Sequence, residues 1–320
     1  MDSTHFDRMK RARKAEAQSP HPTHQVGALI AGIDLDGNPF EVSHFNFWPF
    51  ALVKHFGKDI KLGNASTTIH AELATLFKAP RSENADIYIT DLPCPNCSKT
   101  IAEAGIKNVY IDTHTHNTPL GRKIKPFFDA ASLFLFEKAG IGVFEVDLEK
   151  GTINTLSAAD PKRFSIDKPE QVFALNAAPS QSSFMQEIEK RRPDTAFAAC
   201  AARDEHGHHF IILAKTEIPA GLTKDDAQAI RSSQNKYMPS LQPINRLIAL
   251  AAKHGLQISK RFVFSSRTPT SREFVNLIGA DITHLIIEDK TQCRDEWGLS
   301  ALSALQKVPI IDFNDMHLVT

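Results

Sequence analysis

Four residues of this 320-residue chain have the types and spacing to do chemistry together: His70, Glu72, Cys94 and Cys97. They stand as His70-Ala71-Glu72 and, further on, as Pro93-Cys94-Pro95-Asn96-Cys97. Zinc takes nitrogen and sulfur ligands in a tetrahedron, and a catalytic site leaves one position open. His70, Cys94 and Cys97 supply three such ligands, and no fourth Cys or His stands at a zinc-finger spacing from them. A three-ligand zinc lowers the pKa of water from its bulk value to roughly 7, so a hydroxide nucleophile is available at neutral pH. Glu72 is the candidate general acid/base, which would take a proton from that water and hand it on. A structural zinc clip and a chance Cys-x-x-Cys use the same residues. A redox dithiol is disfavoured, because the Pro-flanked pair has the His partner of a metal site.

These residues need elements to hold them. Residues 87–90 form a short apolar, β-prone run that reads as a strand. Pro93 and Pro95 break it, and 98–104 reads as a helix. Cys94 and Cys97 therefore sit at a helix start, on one face, where the positive end of the helix favours thiolates. His70 precedes an apolar-periodic helix over 71–78. Positions i and i+2 diverge on a regular helix, so spacing alone does not aim His70 and Glu72 together.

Around this centre, 6–17 reads as a helix whose Lys10, Arg11, Arg13 and Lys14 make a solvated basic face. Residues 26–33 and 40–47 read as a hairpin, followed by a loop to Thr68. After the cysteine helix come a strand at 109–112, a helix at 126–138 and a strand at 142–146. The order is α-β-β-α-β-α-β-α-β. Its alternating second part demands parallel strands with helical crossovers, hence a mixed sheet covered by helices.

The pattern H-x-E … P-C-x-x-C resembles the signature of the zinc-dependent nucleobase deaminases. The element order is similar to the cytidine deaminase-like fold, an α/β three-layer α-β-α architecture with a mixed central sheet. A helix between the last two strands resembles the deoxycytidylate deaminase and tRNA adenosine deaminase branch. The resemblance covers about 4–148 and includes Ser19-Pro20-His21-Pro22-Thr23 leading into Val26-Gly27-Ala28. It implies that His70 and Glu72 converge at a helix start and that one zinc is held per chain. Asn46, in His44-Phe45-Asn46-Phe47-Trp48-Pro49, resembles the family Asn that contacts substrate ribose, although aromatics replace its flanking glycines.

The second half repeats the first weakly. Sliding the sequence by 176 lays 87–111 on 263–287 without a gap. Cys94 then falls on Thr270 and Cys97 on Glu273, while 70 and 72 fall on Arg246 and Ile248. The apolar pattern survives and every zinc ligand is gone. The expected organisation is a catalytic deaminase domain over 1–150, a linker over 151–183 with little regular structure, and a degenerate deaminase-like domain over 184–320. Such a tandem resembles some bacterial cytidine deaminases, in which a silent copy fills the place of a neighbouring subunit. A distinct α/β binding or regulatory domain is the alternative.

Other constellations are weaker. His114 and His116 follow a strand end, where loops commonly line sites, or they belong to a surface loop. Phe45, Phe47, Trp48 and Phe50 cluster beside Asn46 and either sandwich a base or fill core and interface. Lys54, His55, Lys58 and Lys61 could meet a 5′-phosphate or be solvated. Backbone amides near Ala71 and Cys94 could orient the base. The substrate-binding candidates are therefore Asn46, Ala71, Trp48, Pro93 and His114.

The formal net charge is zero, which argues against a chain-wide nucleic-acid footprint and leaves only a local patch open. Four cysteines make no disulfide scaffold, and no signal peptide or membrane-length apolar run is seen. The expected setting is cytoplasmic. The resemblance implies hydrolytic deamination of an amino-pyrimidine, a cytosine nucleotide or nucleoside of the deoxycytidylate type, by a homo-oligomer, a dimer, with no membrane partner. The alternatives are another heterocycle (riboflavin-pathway, pterin-like or a free base), tRNA adenosine, and a non-catalytic binding protein with structural zinc.

Overall fold

The computed structural model describes residues 3–164, 171–229 and 238–314. In chain order it begins with α1 (Ser3–Glu16), β1 (Gly27–Ile33), β2 (Pro39–Phe45), α2 (Phe50–Phe56), β3 (Lys61–Leu62), β4 (Ala65–Ser66) and α3 (Ala71–Leu76). There follow β5 (Asp86–Ile89), α4 (Pro95–Glu103), β6 (Asn108–Asp112), α5 (Pro119–Phe127), α6 (Leu133–Ala139), β7 (Gly142–Asp147) and β8 (Thr152–Ser157). The second half comprises α7 (Pro161–Phe164), β9 (Val172–Leu175), α8 (Gln181–Lys190), β10 (Phe197–Arg203), β11 (His209–Lys215) and α9 (Lys224–Ala229). It closes with α10 (Pro243–Lys253), β12 (Gln257–Thr268), α11 (Ser271–Gly279), β13 (His284–Cys293), α12 (Glu296–Leu305) and β14 (Asp312–Asn314).

The strands form two mixed sheets, ordered β2-β1-β5-β6-β7-β8 and β14-β13-β12-β10-β11-β9. In the first, β1 is antiparallel to β2 and β5, while β5, β6 and β7 run parallel. In the second, β10 is antiparallel to β11 and β12, while β12, β13 and β14 run parallel.

Period-two alternation fills both faces of the first sheet. Leu29, Ala31, Tyr88 and Tyr110 pack with Met9 and Ala12 of α1. Their neighbours Ala28, Ile30, Ile87, Ile89, Val109 and Ile111 pack on the opposite face with Ile101 of α4 and Phe136 of α6. Helices thus cover both faces, as three layers. In the second sheet, Ala199, Ala201 and Phe264 face Phe184 and Ile188 of α8. Cys200 and Val263 face Leu247 of α10 and Phe274 of α11.

Two parts of the sequence reading need correction. Residues 151–183 were expected to carry little regular structure, but they contribute β8 and β9, an added edge strand for each sheet. Residues between Phe47 and Thr68 hold α2 and the short β3–β4 ribbon rather than plain loop. Among the described residues no helix is long and apolar enough to cross a membrane.

The halves share core. Ile69 and Leu73 cluster with Leu247, Phe274 and Ile278, while Ala249 and Ala252 of α10 cluster with Ile101 and Ala102 of α4. Along α4 and α10 the side chains are buried almost all round, as expected of helices sandwiched between two layers.

At the end of α1, Glu16 lies where burial, helped by the negative charge of Asp112, pushes its carboxyl up to about 7. A folded-state value above the ordinary 4.5 means that the folded chain holds this proton more tightly. The stability it contributes is full below about 4.5 and is lost as pH rises through about 7. Glu16→Gln should therefore lose less stability than the parent between pH 5 and pH 8 in urea unfolding. Parallel pH profiles for the two proteins would refute the assignment.

Candidate metal centre and its cavity

Both halves of the metal centre hang on helix starts. Cys94 is the N-cap of α4 with extended backbone, and Pro95 at the first helical position supplies a φ already suited to the turn. Cys97 lies one turn in. His70 is the extended N-cap of α3, which places Glu72 in that helix's first turn.

The loop before Cys94 is braced from several sides. Asp91 accepts from the Leu92 amide at 2.7 Å and from the hydroxyls of Thr115 and Thr118. Ser132 donates to the Pro93 carbonyl at 2.9 Å, and Ser98 donates to the Cys94 carbonyl at 3.1 Å. Sequence reasoning missed Asp91, Thr115 and Ser132. Only Asp91, adjacent to the motif, left a local signal.

His70 Nδ1 lies 3.3 Å from Cys97 Sγ and 3.7 Å from Cys94 Sγ. All three ligand atoms are within 4.8 Å of one another. Ligands about 2.1 and 2.3 Å from a tetrahedral zinc stand about 3.6 Å apart, so this donor set fits the ion. The Cys97 thiol donates to Cys94 and, with His70 beside it, holds the Cys94 thiol well below its ordinary range.

Glu72 is 5% exposed. Burial pushes its carboxyl above the usual range, and it reaches Cys97 by a side-chain hydrogen bond. The extended N-cap produces the convergence of His70 and Glu72 that a regular helix denies.

A cavity of about 170 Å³ opens on these four residues. An engineered cavity of roughly 150 Å³ binds benzene, so a single heteroaromatic ring fits. The far wall comes from the second half and includes Gln242, Asn245, Arg272, Asn276 and Arg294. From α4, Lys99 donates to the carbonyls of Met238 and Ser240 at 2.7 and 3.2 Å. Burial pushes its ammonium down to about 7.

The five substrate-binding candidates are not in this wall. Asn46 braces a loop instead of facing a sugar. Its carbonyl accepts from Ser19 Oγ and Val26 N, both at 2.8 Å, and its amide donates to the His24 carbonyl at 2.7 Å. Trp48 is buried and stacks on His21, with ring centroids 4.9 Å apart. His114 is exposed, while His116 pairs with Glu145 at 2.6 Å. Ala71 and Pro93 adjoin the ligands in sequence and are buried. Lys54, Lys58 and Lys61 are exposed and outside the wall.

Residues 2–113 match the cytidine and deoxycytidylate deaminase zinc-binding region. An uncharacterised deaminase from the luxG 3′ region of Aliivibrio fischeri is 31% identical over 134 residues, 41% of this chain and 85% of that protein. The chain belongs to the cytidine and deoxycytidylate deaminase family. It is thus a member of a family of hydrolytic C–N deaminases with a zinc-binding region, and its first sheet carries the cytidine deaminase-like fold. The deoxycytidylate deaminase of Enterobacteria phage T4 is 35% identical over 113 residues, 34% of this chain. The chain spans about half of that protein, 52% of its length. A structure of the dCMP deaminase of cyanophage S-TIM5 in complex with dCMP and dUMP aligns over 46% of this chain and 98% of its own, at 23% identity and a TM-score of 0.31.

The other three-ligand cluster among the described residues, Asp36, Glu205 and His206, is solvent-exposed and has no thiolate. Elemental analysis of this deaminase should therefore find one zinc per chain, lost in Cys97→Ala. A second equivalent would contradict the assignment.

Proposed function

We propose that this chain is a zinc-dependent hydrolytic deaminase of a cytosine nucleotide of the deoxycytidylate type. The observation that carries the reading is the His70, Cys94 and Cys97 triangle with the buried Glu72 carboxyl in reach of it. His70, Cys94 and Cys97 would hold the metal. When bound, zinc supplies the Lewis acidity that makes water nucleophilic at neutral pH. Glu72 accepts a proton from the attacking water and delivers it to the ring nitrogen, then carries the remaining proton of the new hydroxyl to the leaving amine as the carbonyl forms. A C–O bond forms, the exocyclic C–N bond breaks and ammonia departs. The backbone at Cys94, which lines the cavity, would orient the base.

We infer further that 184–320 is a degenerate copy of the deaminase domain. Support comes from the matching order and direction of β2-β1-β5-β6-β7 and β11-β10-β12-β13-β14. The α4 and α11 bounds coincide on a shift of 176, with Cys94 and Thr270 as the two N-caps. In place of two thiols α11 has a capping box, in which the Glu273 carboxylate accepts from the amide and hydroxyl of Thr270, each at 2.8 Å. Glu273 also accepts from the Ile244 amide at 2.9 Å. By helix start, the counterpart of His70 is Gln242, the N-cap of α10, rather than Arg246. A carboxylate held between two helix starts thus stands where the first half has its metal ligands, and this copy cannot activate water. The copy also supplies the packing partner: α10 lies on α4, and α11 lies against Ile69 and Leu73.

The test is ammonia release from a panel of cytosine bases, nucleosides and nucleotides, with pterins and an adenosine-containing tRNA anticodon stem. Turnover of deoxycytidine 5′-monophosphate is expected. Activity only on the RNA or on another heterocycle would overturn the substrate assignment.

A further inference from the structure

Arg272 is a cation in an unfavourable place. It sits in the first turn of α11, two residues after the N-cap, where the helix dipole opposes positive charge. Its partly buried side chain lines the same cavity as the zinc ligands. Among the described residues its hydrogen-bond partner is the Thr68 carbonyl, at 2.9 Å, and no carboxylate pairs with it. The thiolates of Cys94 and Cys97 act on it at a distance, but a zinc dication offsets both. A desolvated cation without a counter-ion is costly, so the site as built calls for an anion from outside.

The same wall adds Arg294 and Lys99. Of its carboxylates, Asp295 is engaged as the cap of α12, accepting from the Gly298 amide. Basic side chains thus line this cavity beside the zinc ligands, and Arg272 and Arg294 come from the half that lacks those ligands. Guanidinium groups match phosphate oxygens through paired donors.

We propose that Arg272, with Arg294 and Lys99, forms an anion subsite through which the second half selects amino-heterocycles bearing a phosphate, a nucleoside monophosphate over its nucleoside. This rests on the deaminase reading of the metal centre. It moves phosphate recognition away from the exposed lysines at 54–61 and into the copy without metal ligands, which becomes part of the substrate site rather than a packing block.

The experiment uses the full zinc-loaded chain and Arg272→Met. Calorimetry with inorganic phosphate reads the subsite without turnover. Binding is expected in the parent and should weaken about 10- to 100-fold in the variant, the range for charge-assisted hydrogen bonds. The kcat/KM ratio for deoxycytidine 5′-monophosphate over deoxycytidine should fall by a similar factor, through KM, and Arg272→Lys should recover part of it. Equal phosphate binding in both proteins, or equal losses on nucleotide and nucleoside, would overturn the subsite. Arg272-dependent phosphate binding in a protein that turns over no cytosine compound would support the subsite and overturn the cytosine reading instead. Should Arg272→Met fail to fold, Arg294→Met carries the same comparison.

Discussion

Glu72→Ala is expected to keep its full zinc content and to lose about 10²- to 10⁴-fold in turnover, the usual contribution of a positioned acid/base. The argument is geometric before it is electrostatic. The three ligand atoms of His70, Cys94 and Cys97 already make a zinc-sized triangle, so the metal does not need a fourth protein ligand. Glu72 enters the cavity wall beside them from the first turn of α3. Its carboxyl is raised by burial, which brings the neutral, proton-carrying form closer to working pH. A group held this way is expensive for the fold. Removing it should leave the melting temperature unchanged or higher, as happens when a buried acid retained for function is deleted. The measurement pairs elemental analysis with ammonia release on one preparation. Zinc lost together with activity would make Glu72 a ligand or a structural brace. Zinc retained with full activity would remove it from the reaction.

The metal centre was legible because few side chains bind zinc, and the chain places three of them within 28 residues. The inner strands were legible for a different reason. Alternating runs such as 28–31 and 87–89 must feed two faces at once, and they do. The 176-residue shift survived because a strand–helix–strand unit fixes its own lengths, and α4 and α11 have matching bounds. It failed at the preceding helix, where α10 runs eleven residues and α3 six. Helix and connection lengths trade off there, so the start moved by four. Edge strands such as β8 were invisible because one side of them is solvent and their pattern is weak. Asn46 shows why a substrate contact is hard to read: a polar residue beside a strand end can serve a ligand or the chain itself, and here its amide ties down the loop at 19–26. Arg272 was not legible as a site residue, because only the packing of one half on the other carries it to the metal.

That packing rests on a buried ion pair, whose rupture should give the largest stability loss in the molecule. Arg246 Nε donates to Glu103 Oε1 at 2.5 Å, with both side chains 2% exposed. The pair joins α10 to the end of α4, the helix that begins at the zinc cysteines. Arg246 Nη1 also donates to Gln171 at 2.8 Å and stands 3.8 Å from Glu217, and Glu103 Oε2 accepts from the Ala220 amide at 2.8 Å. Such a pair is weak evidence for net stability, because desolvation of both ions offsets most of their attraction. Breaking it is another matter. Arg246→Met leaves a carboxylate in the core without its cation, at a cost of about 3–5 kcal/mol, or a fall in Tm of about 4–7 °C for a chain of this size. Arg246→Met with Glu103→Gln removes the stranded charge and keeps an acceptor for Ala220, so the double variant should regain most of the loss. Urea unfolding of the parent, both single variants and the double variant measures the coupling directly. If the two single losses simply add, the pair is not a pair in solution, and the second half must be held over the metal by its apolar core alone.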